Sequence, residues 1–372
     1  MLLRTALLAL TAISLLPGLA QDEKWRVDFL GSYYDQDGER SPVTGGIGTE
    51  ELQTIGPVIV LNYQGDSPWS YTTTLGVDNI TSASTDNIDL DAAGVNVSGA
   101  SRQDNRVFIN SGATRKVGNQ NWGVNLGFSK EYDYRSISAG LNWSMDFNQK
   151  NSTLGVALNR YQDEVTLYDI FGVDQGTDDR ETTDITLSLS QVLSPRAIAV
   201  FEVFVSDQSG FLSTPFHEVI LDDGAITTER LPDARTRTAV KVGLNYAFSN
   251  NLILRSYLRH YDDDWGIAAQ TLELEPHFRL PYGEDTWIYP IFRFHTQDAS
   301  DYWVLPNQAP ASQDFYTADW DLGEFDSQKY GIGFRTKLAS RLSDFLDVRV
   351  TRYTRDGDFS SFNVAFGLGW SW

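Results

Sequence analysis

Residues 362–372 read "FNVAFGLGWSW". Phe362, Val364, Phe366, Leu368, Trp370 and Trp372 occupy every second position. Asn363, Ala365, Gly367, Gly369 and Ser371, all small or polar, fill the gaps. A two-residue period means a β-strand, because successive side chains point to opposite faces. One such strand has two readings. In a soluble sheet the apolar face covers a core. In a membrane barrel it faces lipid, and the small or polar face lines the lumen.

The rest of the chain decides between them. Alternating segments recur throughout, among them "WRVDFLGSYY" from Trp25, "NWGVNLGFS" from Asn121, "TAVKVGLNYAF" from Thr238 and "KYGIGFRTKL" from Lys329. They add up to roughly sixteen strands of the length a tilted membrane strand needs. The connections then sort by parity. Even-numbered strands are followed by short turns: "GDSP", "VGNQ", "NQKN", "LSPR", "SNN", "PYGED" and "ASRLSD". The other links are mostly long, at 35–52, 81–104, 161–183, 206–236 and 297–327, with three short ones at "KEYDY", "YDDDWG" and "TRDGDF". A soluble sandwich has no reason to separate its loops in this way. An antiparallel up-and-down transmembrane β-barrel with both termini in the periplasm does. The expected fold is therefore all-β, with strand 16 closing the barrel.

The N-terminus agrees. "MLLRTALLALTAISLLPGLAQ" has Arg4, an apolar run over residues 6–16, and Gly18 and Ala20 at a cleavage site. It reads as a secretory signal peptide over residues 1–20, leaving one barrel domain at 21–372. The expected location is the outer membrane of a Gram-negative bacterium.

Composition narrows the function classes. With 50 acidic and 29 basic residues the net charge is −21, which argues against a nucleic-acid partner. There are no cysteines, so disulfides and thiolate metal sites are excluded. Mean hydropathy is −0.30, as expected when apolar and polar positions alternate. With four histidines and no G-x-S-x-G or H-E-x-x-H, the familiar hydrolase and zinc signatures are missing. The reading is of a protein with no enzymatic activity and no cofactor. An enzyme would need a serine or an acid set against His217, His260, His277 or His295.

Alternation also assigns faces. Leu252, Leu254 and Leu258 go to lipid, so Arg255 and Arg259 point inward. Leu272 and Leu274 go to lipid, so Glu273, Glu275 and Arg279 point inward. Ile288, Pro290, Phe292 and Phe294 go to lipid, so Arg293 and His295 point inward. A charge facing lipid costs about 2–4 kcal/mol near the midplane, which enforces the sorting. Centring the first hairpin near Asp263 sets residue 255 opposite 271, and the second hairpin sets 273 opposite 293. Glu273 is then expected between two guanidinium groups. Such a cluster either simply wets the wall or forms a charge-selecting constriction.

Other motifs carry less. Asp35, Asp37 and Glu39 in "DQDGE" resemble half a calcium loop without its closing glutamate. "TGGIGTEE" is glycine-rich but does not lead from a strand into a helix, so it is no phosphate cradle. "SGAS" (98–101) and "SGAT" (111–114) resemble a flavin-acceptor tetrad but lack the usual upstream aspartate spacing.

"SGASR", "KEYDYRSISAGLNWSMDFN", "GFLSTPFHEV", "ERLPDARTRTA", "LRHYDDDWGI" and "RFHTQDASDYW", in that order, resemble the outer-membrane barrel family called domain of unknown function 3570. The resemblance covers most of the mature chain and implies a barrel. It also implies neighbours of the kind expected beside such proteins: a small lipoprotein and extracytosolic redox proteins. Phe366, Trp370 and Trp372 are similar to the terminal signal read by the outer-membrane assembly machinery. The expected function is a channel or transport component, cation-favouring because its outer loops are acidic. The alternative is a plugged barrel that anchors a partner, such as a small lipoprotein or a redox or metal carrier.

Overall fold

The computed structural model describes residues 24–82, 103–340 and 343–372. The segment read as a signal peptide, and "SGAS", lie outside them.

Sixteen antiparallel strands close into one barrel. The first eight are β1 (Trp25–Asp37), β2 (Leu52–Gln64), β3 (Trp69–Ser82), β4 (Gln103–Val117), β5 (Gln120–Lys130), β6 (Tyr134–Phe147), β7 (Ser152–Tyr168) and β8 (Asp174–Ser194). Next come β9 (Ala197–Gly210), a short hairpin of β10 (Glu218–Ile220) and β11 (Ile226–Thr228) outside the barrel, and β12 (Ala234–Ser249). The wall continues through β13 (Leu252–Asp263), β14 (Ala268–Arg279), β15 (Glu284–Gln297), β16 (Phe325–Ser340), β17 (Ser343–Arg355) and β18 (Phe359–Ser371). Each barrel strand pairs with its neighbours in sequence, and β18 pairs with β1 to complete the ring.

The seam answers the reading of residues 362–372. Val27 lies opposite Trp370, Phe29 opposite Leu368 and Gly31 opposite Phe366, all on the outer face. The backbone N–H groups of Lys24 and Trp25 both donate to the carbonyl of Trp372. Phe362, Phe366 and Trp372 are exposed, whereas Gly367 and Gly369 are buried on the inner face. Outside, a belt of exposed aliphatic and aromatic side chains runs around the barrel, including Ile59, Leu75, Leu126, Leu141, Leu187, Val242, Leu258, Phe292 and Ile332. At the rim of the short turns, outward rings pack together: Trp25 tilted against Tyr63 at 4.5 Å, Tyr63 stacked on Tyr71 at 6.3 Å, and Trp122 tilted against Trp143 at 6.1 Å. Rings at that height suit a membrane–water interface.

Loop parity holds. Links at 65–68, 118–119, 148–151, 195–196, 250–251 and 280–283 share the rim that carries Lys24 and Trp372. The opposite rim carries the links at 38–51, 211–233 and 298–324. One expected loop is different. Most of 161–183 is strand, since β7 and β8 continue pairing up to Tyr168 and Asp174. Its acidic residues therefore form a solvated hairpin rising past the wall. Polar alternation looked like loop because an exposed two-stranded arm has no apolar face to betray it.

Inside, glycines let neighbouring side chains lie flat. A Cβ on Gly333 would meet the ring of Tyr289 at 2.1 Å, and one on Gly140 would meet Asn159 at 2.2 Å. Tyr289 thus crosses β16 with its hydroxyl 2.8 Å from Asp347 Oδ1.

Candidate functional site: the lumen wall and the capped mouth

The two halves of the lumen differ in chemistry. On β2 to β7 the inward positions include Asn62, Thr72, Thr74, Asn110, Asn125, Asn142 and Asn159 with serine and glycine between them, a small apolar cluster of Val58, Val60 and Phe108, and Arg106 paired with Asp78 at 3.6 Å. On β12 to β17 the same pleat presents Arg237, Lys241, Arg255, Arg259, Arg293, Lys329, Arg335, Arg349 and Arg355.

Several of these cations have protein partners. Lys241 meets Glu202 at 3.3 Å, Lys329 meets Glu273 at 3.1 Å, and Arg349 and Arg335 share Asp347 at 3.4 and 3.8 Å. Arg349 Nε also donates to the hydroxyl of Tyr289 at 3.0 Å. Among the described residues no ion pair involves Arg255, Arg259 or Arg293. Arg259 and Arg293 are near enough to act on each other, and Arg255 is within reach of Arg335 and Arg349. The wall therefore holds clustered guanidinium charge that its fewer carboxylates, Glu202, Glu273, Glu275 and Asp347, offset only in part.

The expected site residues land as follows. Arg255, Arg259, Glu273, Glu275, Arg293 and His295 all occupy inward positions on β13, β14 and β15. Glu273 lies opposite Arg293, as the second hairpin implied. The first hairpin differs: Arg255 lies opposite Glu275, and Thr271 opposite Arg259. The turn centres near Trp265, because Asp263 Oδ1 accepts from the N–H groups of Trp265 and Ile267 and pins a longer turn than "YDDDWG" suggested. Glu273 is consequently not held in a fork of two arginines. The ammonium of Lys329, one strand further on, takes its carboxylate instead. Glu275 bonds His277 at 3.2 Å, and His295 Nδ1 lies 2.8 Å from the hydroxyl of Thr271. Arg279 sits apart at the turn rim, 3.5 Å from Asp285, with both side chains well exposed. Phe366, Trp370 and Trp372 face outward along β18.

Asp35, Asp37 and Glu39 do not converge. Asp35 accepts from the hydroxyl of Tyr33 at 2.6 Å and from Gln53 at 3.0 Å, while Glu39 joins a bridge to Thr49.

The links at 38–51, 211–233 and 298–324 fold together over part of the mouth. Val219, Leu221, Ala309, Tyr316 and Ala318 form one small core, and Leu231, Trp265, Ile267 and Leu322 another. Inward side chains of the barrel hold this cap. Arg355 grips Asp321 at 2.6 Å, Gln297 donates to the carbonyls of Asp321 and Gly323, and Arg180 donates to those of Phe211 and Ser213. A cleft of about 660 Å³ opens beside it, lined by Phe211, Glu229, Arg230 and Tyr316 among others.

The underside of the cap is acidic. Burial, reinforced by the charge of Asp321, raises Glu50 to about 8. Burial and Asp321 likewise raise Asp319 to about 6. Burial alone would lower His217, but Glu229 and Asp319 outweigh it and the net shift is upward. Burial works against the carboxylate of Glu229 too, and His217 with Thr317 and Thr214 overcomes it, lowering its pKa. Face assignment could not find this group. His217, Glu229 and Asp319 lie in links without periodicity, and the two segments meet only in three dimensions.

The family model described as Protein of unknown function (DUF3570) matches residues 3–170 and 171–365. The chain belongs to that family. No curated protein sequence matches it. In fold the DUF3570 protein is similar to a solved structure titled bacterial polysaccharide outer membrane secretin. That match has 11% identity and a TM-score of 0.53, covering 95% of this chain and 100% of that one. A BenF-like porin from Pseudomonas fluorescens Pf-5 gives 8% identity and a TM-score of 0.47, covering 95% and 100%. OccK1 (OpdK) of Pseudomonas aeruginosa gives 7% and 0.45 at the same coverage. The closed sixteen-strand ring, apolar belt and interfacial rings are those of an outer-membrane β-barrel, and they place the protein in the outer membrane of a Gram-negative bacterium.

Proposed function

We propose that this DUF3570 protein is a solute channel whose lumen favours anions, of the class that carries carboxylate or phosphate groups. The observation that carries the reading is the set Arg255, Arg259 and Arg293, clustered on adjacent strands and, among the described residues, closing no ion pair of their own, although Glu275 and Glu273 lie opposite Arg255 and Arg293. A guanidinium facing a confined aqueous space attracts an anion, and its planar fork suits a carboxylate or phosphate. The long links are acidic and would enrich cations outside the mouth. Selection is made where the path is narrow and its walls have low dielectric constant, so the wall outranks the loops. The amide-lined opposite wall offers neutral hydrogen bonding along which a solute slides. In the proposed orientation the termini are periplasmic, the cap faces the outside, and the protein carries no catalytic activity.

Swelling of proteoliposomes with solutes of matched size tests this. A sugar acid is expected to enter faster than the neutral sugar, and an amino sugar slowest. Equal rates for all three would remove the charge selection, and no swelling would remove the channel.

A second reading draws on the β7–β8 arm. Phe171 and Val173 are 63% and 54% exposed at its tip. Apolar residues on a projecting arm suit a docked protein, such as a small lipoprotein or an extracytosolic redox carrier. Mild detergent purification should then bring a stoichiometric second chain that the double change F171S/V173S releases. Recovery of the barrel alone from native membranes would count against it.

A further inference from the structure

His217, Glu229 and Asp319 stand together inside the cap. His217 and Glu229 flank the open end of the β10–β11 hairpin, where the N–H of Glu229 donates to the carbonyl of His217. Asp319 comes from the link at 298–324. One nitrogen and two carboxylate oxygens from these three side chains lie within 4.8 Å of one another. His217 Nδ1 is 3.6 Å from Glu229 Oε1 and 3.9 Å from Asp319 Oδ2. Both separations are too long for hydrogen bonds, and Nδ1 is sealed from solvent with no hydrogen-bond partner. A buried imidazole nitrogen left unmatched beside two carboxylates calls for an occupant.

We propose that this group binds a divalent first-row transition ion, of the zinc type, and that the ion staples the two links of the cap. Metal–ligand distances of about 2.0–2.2 Å around a tetrahedral ion set ligand atoms roughly 3.4 Å apart. The two histidine separations lie within about half an ångström of that spacing, and rotamer adjustment of the two carboxylates, which stand within 4.8 Å, closes the rest. The carboxylates are already oriented from behind. Glu229 Oε2 accepts from the N–H of Thr214 at 2.6 Å and its Oε1 from the hydroxyl of Thr317 at 2.5 Å. Asp319 Oδ1 accepts from the N–H of Asp321 at 2.8 Å, which leaves Oδ2 to aim at the histidine. Such outer hydrogen bonds are what hold metal ligands in place. The side chains of Glu229 and Asp319 are 1% and 8% exposed, so a dication would balance two negative charges that water does not reach. Calcium prefers an all-oxygen shell, and the imidazole selects against it. Asp319 runs directly into the Trp320–Leu322 turn, and Asp321 of that turn is held by Arg355 of the wall. Filling the site therefore ties hairpin, link and barrel together across the mouth.

The test uses the untagged full-length barrel in detergent, stripped with a chelator and titrated with zinc sulfate against a chromophoric competitor. One equivalent is expected to bind. H217A and D319N should each weaken binding at least tenfold while keeping the heat-modifiable migration of a folded barrel. Zinc should slow proteolysis within 211–233 in the unchanged protein and in neither variant. No saturable binding, equal binding by H217A, or displacement of zinc by an equal concentration of calcium would each overturn the proposal. The measurement needs no conduction, so its failure and that of the channel reading are separable.

Discussion

Placing an arginine at position 126 should destabilise the barrel far more than placing one at position 125. Leu126 is 67% exposed on the outer face of β5, and Asn125 beside it points into the lumen. Residue 126 lies six positions from Gln120 at the turn rim. A rise of about 3.3 Å per residue on a strand tilted by about 40° puts it roughly 15 Å above that rim. That is close to the middle of an apolar band about 25 Å tall, where an arginine facing lipid costs about 2–4 kcal/mol. Since about 1.4 kcal/mol is tenfold, L126R should lower the folding equilibrium constant by about 30- to 900-fold. N125R leaves its charge in water and should cost under about 1 kcal/mol. Urea titration of both proteins in phospholipid vesicles, read by heat-modifiable migration, compares them directly. Equal stability would mean that β5 does not present residue 126 to lipid, and the face assignment would fail for the whole wall.

Further outcomes follow from the seam, the cap and the sorting of the loops. Replacing Phe366, Trp370 and Trp372 together with serine removes the outer-face contacts of β18 opposite Gly31 and Val27, so the variant should be degraded before assembly; a normal yield of heat-modifiable barrel would contradict this. An epitope inserted in 211–233 should label on intact cells, and one at 250–251 should not; the reverse pattern would invert the orientation. The third outcome concerns pH, in chelator-treated protein. Glu50 is raised from 4.5 to about 8, so the folded cap binds its proton more tightly than the unfolded chain. Its contribution is complete below pH 4.5 and is lost as pH rises toward about 8. Proteolysis of the link at 38–51 should therefore quicken between pH 6 and 8, and E50Q should flatten that rise. An identical pH profile in E50Q would show that Glu50 is not the group responsible.

Sixteen strands and their inner and outer faces were legible because the membrane imposes a period of two on every strand. "TLELEPHF" needs no tertiary information for its faces to be read. Register was harder. The pairing of 273 with 293 followed from a tight turn, whereas Arg255 slid to Glu275 because Asp263 organises a longer one. Lys329 was missed as the partner of Glu273 because it arrives from a strand separated by the whole 298–324 link. Net charge says nothing of where charges lie. The acids that give −21 include solvated arms and links, while Arg255, Arg259, Arg293, Arg335 and Arg349 share one inner wall. A sum over the chain does not show where the field is. The cap was illegible for the reason any irregular segment is: Val219 meets Ala309 and His217 meets Asp319 through contacts that leave no repeat.

Reversal potentials across a planar bilayer test the central claim most directly. With asymmetric potassium chloride the protein should show chloride-over-potassium selectivity. R255Q/R259Q/R293Q should move the reversal potential toward the potassium equilibrium value while retaining the folded migration. Cation selectivity in the unchanged protein, or the same potential in the triple variant, would contradict an anion path built on those three arginines.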